Sequence, residues 1–301
     1  MEVLEHQRAA LDEITARARA YFRGDWQNLP VLPRWASLLT GPTGVGKTAV
    51  AALAAEAVGA SLCRVSSPNW KPVGSNSRGT RETISVIADH IARNDKTILC
   101  IDEICKLLIT NDSGWQGYIR GECFEILDGR WPSGMKDNDG DDMPDTAVDA
   151  LTTKLKTTVF VLGIGTFQSW FDDSGSRRAM GFGAETNPAN DELSADIIAE
   201  KLPRELANRF NSTLIRLPEL RPEDYARIAN EAADKLPLRM QAAFRVEISK
   251  RITGAIAAKK GVRFLEEAMM ATLINLPPAP AIAECIDRGF FRTLDLEPCT
   301  L

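Results

Sequence analysis

Residues 41–48 read GPTGVGKT, with the apolar run 35–39 before them and a stretch of small helix formers, 49–57, after them. This is G-x-x-x-x-G-K-[ST] in a strand–turn–helix setting, and it ties the chain to an α/β layout, because the turn must close around phosphate at the end of a buried strand. Gly41, Gly44 and Gly46 leave room for backbone N–H groups to point inward, with Pro42, Thr43 and Val45 filling the turn. Lys47 supplies a cation for β- and γ-phosphate oxygens. Thr48 opens the following helix, where its hydroxyl suits a magnesium ion and the helix N-terminus favours an anion.

A second segment completes the chemistry. The run 98–101 reads as a buried strand closed by Asp102, whose carboxylate is expected to reach the magnesium shell from the strand neighbouring the phosphate loop. Glu103 follows as the candidate general base for an attacking water. Acids after strands are common in turns, but with a phosphate loop upstream the pair points to binding and splitting of ATP with Mg2+.

The remaining composition mostly excludes. A formal charge of −5 over 301 residues offers no global attraction to nucleic acid or an anionic membrane. Arg177-Arg178 and Lys259-Lys260 are short basic pairs of the kind that normally sit in solvent. The six cysteines form no C-x-x-C and there are two histidines, which argues against zinc and for reduced thiols in a cytoplasmic protein. No apolar stretch reaches membrane-spanning length, and the N-terminus lacks a signal peptide's apolar core.

Apolar runs at 35–39, 62–65, 98–101, 159–163 and 213–217, separated by helical stretches, predict a mainly parallel sheet covered by helices. An amphipathic helix is expected over 2–22, with Leu4, Leu11, Ile14 and Ala18 on one face. Pro218 and Pro222 mark a boundary, after which Tyr225, Ile228 and Ala232, then Phe244, Ile248, Ile252 and Ile256, repeat at helical spacing. The expected organisation is a nucleotide-binding domain over 1–217, a small all-helical domain over 218–276 and a C-terminal extension, 277–301.

In the order of these parts the chain resembles the AAA+ ATPases, and within them the ClpX-type protein unfoldases. LEHQRAALDEI at 4–14 resembles the adenine-side segment, with His6 and Gln7 standing where a Gly-Gln usually sits; the Gly165-Thr166-Phe167 segment resembles the first sensor, with Thr166 at the polar position. KLPRELANRFN at 201–211 resembles the helix that carries the arginine finger, which implies Arg209, and GVRFLEEAM at 261–269 resembles the second sensor, which implies Arg263. By spacing alone both arginines are also readable as partners of nearby acids such as Glu205 and Glu266. The resemblance implies an AAA+ large domain followed by a helical lid, a homo-oligomeric ring, usually of six subunits, and a γ-phosphate site shared between neighbours. It also implies that the family's N-terminal zinc-binding domain is missing here.

Three loops bear on the substrate. Trp70 and Val73 lie where the family projects its first pore loop, although a Trp packed on its own scaffold is the competing reading; Trp115 and Tyr118 lie at the second pore-loop position. Met180-Gly181-Phe182 resembles the tripeptide that docks on a ClpP-type peptidase, against a phenylalanine folded onto its own core. Asp137, Asp139 and Asp141 alternate like calcium ligands, but Val148 stands where such a loop needs a terminal Glu, so a solvated acidic loop competes. The expectation is an ATP-driven ring that pulls a protein substrate through its pore, with or without a peptidase. A dedicated remodeller of one partner and a nucleic-acid-associated switch are the alternatives.

Overall fold

The five apolar runs pair into one sheet in the computed structural model, which describes residues 3–75, 82–108, 114–135, 143–167, 204–210 and 214–276. The strands are β1 (Ser37–Thr40), β2 (Ser61–Ser66), β3 (Thr97–Asp102), β4 (Val159–Gly165) and β5 (Ile215–Arg216). Their order is β2-β3-β4-β1-β5, and every pairing is parallel. β3 and β4 are buried at every position, as continuous apolar runs covered on both faces must be. Ile98, Leu99 and Ile101 are fully buried, and each such side chain contributes about 1.5–3 kcal/mol.

One expectation is corrected by the strand order. β3, which carries Asp102, does not neighbour β1: β4 lies between them. Sequence order cannot reveal this, because a parallel crossover can return to either side of the strand it left.

Two compact units divide the chain, Met1–Leu220 and Arg221–Leu301. In the first, α1 (Glu5–Arg23) packs against α2 (Lys47–Val58), and α3 (Thr83–Arg93), α4 (Gly114–Leu127), α5 (Asp145–Thr157) and the single turn α6 (Arg204–Ala207) complete the helices described. The buried face of α1 is Gln7, Ala10, Ile14, Ala18 and Tyr21; of the expected stripe, Leu4 is the N-cap and Leu11 is only half-buried. Trp35 falls outside β1 and joins Tyr21 and Trp26 in an aromatic cluster, anchored by the Tyr21 hydroxyl on Lys156 O at 2.8 Å. Gly163 in β4 admits the Phe210 ring: a Cβ there would meet Phe210 Cζ at 2.8 Å. That close approach seats the segment carrying Arg209 against the sheet.

In the second unit the elements described are all helical: α7 (Pro222–Asp234), α8 (Leu238–Ala257) and α9 (Arg263–Asn275). Pro222 takes the first turn of α7, where a missing N–H costs nothing, and Asp224 Oδ2 accepts the Arg221 N–H at 2.9 Å. Tyr225 ties α7 to α9, its ring tilted at 41° against Phe264 with centroids 5.4 Å apart, while its hydroxyl accepts the Gly261 N–H at 3.1 Å. Ile228, Ala229 and Ala233 are buried on α7, where the sequence pattern points to Ala232; Phe244 and Ile248 are buried on α8, with Ile252 and Ile256 half-buried. Among the described residues no helix is long and apolar enough to cross a membrane.

Candidate nucleotide site

The loop 41–48 leaves the carboxyl end of β1 and runs into α2. Gly46 is the N-cap of α2 at φ 90°, and a Cβ there would meet Gln7 Nε2 at 2.2 Å. Glycine is therefore required twice, for its left-handed backbone and for the approach of the N-terminal segment. Gln7 is buried and donates from Nε2 to Val45 O at 3.0 Å; His6 Nε2 lies 3.1 Å from the same carbonyl, which makes it the protonated nitrogen. The two residues predicted at the adenine side are thus both fastened to the loop through the Val45 carbonyl. Lys47 is buried and donates from Nζ to Gly41 O at 2.8 Å and Pro42 O at 2.6 Å, folded over the turn whose interior it is expected to neutralise.

Thr48 and Asp102, fifty-four residues apart, meet at 3.2 Å between Oγ1 and Oδ2. A hydroxyl and a carboxylate converging beside a helix N-terminus are hard oxygen donors of the kind magnesium takes, so the residues present fit the expected metal. Asp102 is well supplied with donors: Oδ1 accepts the Glu103 N–H at 2.9 Å, and Oδ2 also receives Arg64 Nη2 at 2.8 Å and Nε at 3.2 Å. Glu103 sits at φ 55°, an unusual conformation for a non-glycine residue that recurs at functional sites. Its carbonyl accepts from Ser67 Oγ at 2.8 Å and Lys106 N at 2.8 Å, which leaves the side chain exposed at the strand end.

Register places Thr166 in the same row. Thr40 pairs with Gly165 and Ile101 with Gly163, so Thr166 follows β4 between the loop on β1 and the acids on β3. It is partly exposed, with Oγ1 3.8 Å from Cys105 Sγ. Cys63 and Cys100 are buried thiols whose ionisation burial pushes up, to about 11 and about 12, which suits packing and not reactivity.

The predicted arginines are placed separately. Arg209 lies after α6 with its guanidinium over the Phe124 ring at 4.3 Å, donating to Asp128 Oδ2 at 3.0 Å and Glu205 O at 2.6 Å. Its side chain is 22% exposed. The finger candidate is therefore held by residues of its own chain, Phe124, Asp128 and Glu205, where the sequence reading has it presented to a neighbour. Arg263 is exposed at the first position of α9, in the second unit.

Trp70 requires a correction. It is 4% exposed and donates from Nε1 to Glu122 Oε2 at 2.8 Å, so it belongs to the core and does not offer its ring to a passing chain. Val73 packs half-buried on the same core, and its N–H donates to Glu122 Oε1 at 2.6 Å. Tyr118, by contrast, is 68% exposed on α4. The Trp115 side chain, Met180, Gly181 and Phe182, and Asp137, Asp139 and Asp141 lie outside the described residues, as do Cys285 and Cys299.

Glu122 is the residue that sequence reasoning missed at this loop. Burial is the main cause of its raised pKa, outweighing the donors from Trp70 and Val73. The native carboxyl then holds its proton more tightly than the unfolded chain does, so this group's contribution to stability falls as pH rises from its ordinary value of 4.5 through its raised one. Glu122→Ala is expected to cost about 3 kcal/mol in urea unfolding at pH 7, through two orphaned donors, and to flatten the pH dependence in that window. Unchanged stability would mean that the loop is held by other contacts.

Two comparisons bear on this geometry. Residues 37–127 match the family described as ATPase family associated with various cellular activities (AAA). No curated protein matches the chain. The matched span contains the phosphate loop, Asp102 and Glu103, and with the five-stranded parallel sheet it gives the first unit the AAA α/β fold. The match supports nucleotide binding and ATP hydrolysis as the general chemistry.

Proposed function

We propose that this protein is a magnesium-dependent ATP hydrolase of the ring-forming, protein-remodelling kind. The observation that carries the reading is the meeting of Thr48 and Asp102 at 3.2 Å beside a turned-out Glu103, on a parallel sheet with a phosphate loop. The loop amides and Lys47 would bind the phosphates, while Thr48 and Asp102 would hold Mg2+, which supplies charge neutralisation at the phosphate oxygens. Glu103 accepts a proton from the attacking water, giving ADP and phosphate. Thr166 orients that water or the γ-phosphate, and His6 and Gln7 border the adenine.

Work on a substrate needs coupling between protomers. In this reading Arg209 leaves Asp128 on ring assembly and reaches a neighbour's γ-phosphate, while Arg263 reports nucleotide state from the helical unit, the proposed lid. Tyr118 is the remaining described aromatic at the proposed pore. Met180-Gly181-Phe182 would serve peptidase docking if a ClpP-type partner exists. The burial of Trp70 takes one gripping aromatic away from the proposed pore.

The test uses a fluorescent protein bearing an unstructured tail. Tyr118→Ala is expected to keep ATP turnover within about twofold, the range of a surface change outside the nucleotide site, and to abolish loss of fluorescence. Unchanged unfolding by the variant would refute the pore role. Robust ATP hydrolysis with no unfolding by the wild type would favour a dedicated partner.

A further inference from the structure

Arg64 stands on β2 opposite Cys100 of β3, so Asp102, two residues further along, faces the same side of the sheet. Its guanidinium reaches Asp102 Oδ2 through both Nη2 at 2.8 Å and Nε at 3.2 Å. The same oxygen lies 3.2 Å from Thr48 Oγ1. The Arg64 side chain is 54% exposed and that of Asp102 12%, which leaves the arginine a path into solvent and the carboxylate none.

We propose that Arg64 is a positioning residue that competes with magnesium for Asp102 Oδ2, and so sets the metal concentration at which the nucleotide site assembles. This rests on the ATPase reading of the same site. One carboxylate oxygen is claimed by a guanidinium already present and by the divalent ion that Thr48 and Asp102 are placed to hold. At a separation of about 5 Å in a water-like dielectric, a guanidinium and a divalent cation repel strongly enough to change affinity about tenfold. Metal binding therefore requires Arg64 to swing away, which its exposure permits. If Arg64 served only to steer Asp102, its removal would loosen the carboxylate and weaken metal binding, so the two roles differ in sign. Exposed ion pairs add little to folding, so truncation leaves the fold in place.

The experiment measures binding of a fluorescent methylanthraniloyl-ATP to the full chain during a magnesium chloride titration. Arg64→Ala and the longer neutral variant Arg64→Gln are both expected to lower the half-saturating magnesium concentration about tenfold, while Arg64→Lys, which keeps the charge, stays within about threefold of wild type. A half-saturation point that is unmoved or raised in both neutral variants overturns the proposal while wild-type metal-dependent binding leaves the ATPase reading standing. Wild-type protein that binds nucleotide with no magnesium dependence overturns both.

Discussion

Arg209→Ala is expected to lower ATP turnover of the assembled protein by about 10³–10⁵-fold, the range for an arginine that neutralises transition-state charge in phosphoryl transfer. Nucleotide affinity should stay close to wild type, because the loop 41–48 and α2 do not depend on it. The competing expectation comes from the contacts of the side chain itself: the guanidinium lies over the Phe124 ring and is paired with Asp128. An arginine with only that role would cost about 1–2 kcal/mol of stability when removed, and the folded fraction would turn over normally. Steady-state kinetics beside a urea titration separates the two outcomes. Mixing is sharper still. Arg209→Ala protomers keep an intact phosphate loop and Glu103→Gln protomers keep their arginine, so mixed rings should recover activity that neither variant has alone. Failure to recover, with mixed assembly verified by co-purification through an affinity tag carried by one variant only, would remove the shared site.

Glu103→Gln is expected to bind ATP with near wild-type affinity and to hydrolyse it about 10²–10⁴-fold more slowly, the contribution of a positioned general base. The amide keeps the length of the side chain and the backbone contacts that hold φ at 55°, since Ser67 Oγ and Asp102 Oδ1 bond to the main chain of this residue. Only the ability to accept a proton is lost. Because the side chain is exposed, the melting temperature should not move, and a thermal scan in the absence of nucleotide checks this. Wild-type turnover by the variant would transfer the base to another group and leave Glu103 as a turn residue.

The parts of the site that could be read from the chain are those written as contiguous segments. Gly41 to Thr48 must be neighbours in sequence because they form one turn, and Asp102-Glu103 come directly after the apolar run of β3, with Asp102 buried and Glu103 exposed. β1, β3 and β4 were legible for the same reason: continuous burial forces continuous apolar runs. Gln7 was legible only as part of a resemblance, yet its amide proves to be a structural bond to Val45, which fixes Gly46 as glycine.

What escaped the sequence depends on residues far apart in the chain. Trp70 looked like a loop aromatic because its acceptor, Glu122, is fifty-two residues away on α4, and a polar partner at that distance leaves no local pattern. Arg64 on a strand and Asp128 at a helix end carry no local sequence signal of the residues the fold sets them beside, Asp102 and Arg209. Residue order was enough to point to the loop 41–48 and the acid pair as the candidate site and to fix the parallel α/β class, since each rests on short-range spacing and burial. That β4 separates β1 from β3, that Trp70 is core, and which carboxylates hold Arg64 and Arg209 emerged only from the folded chain, because parallel crossovers and side-chain pairing across elements are settled by packing in three dimensions.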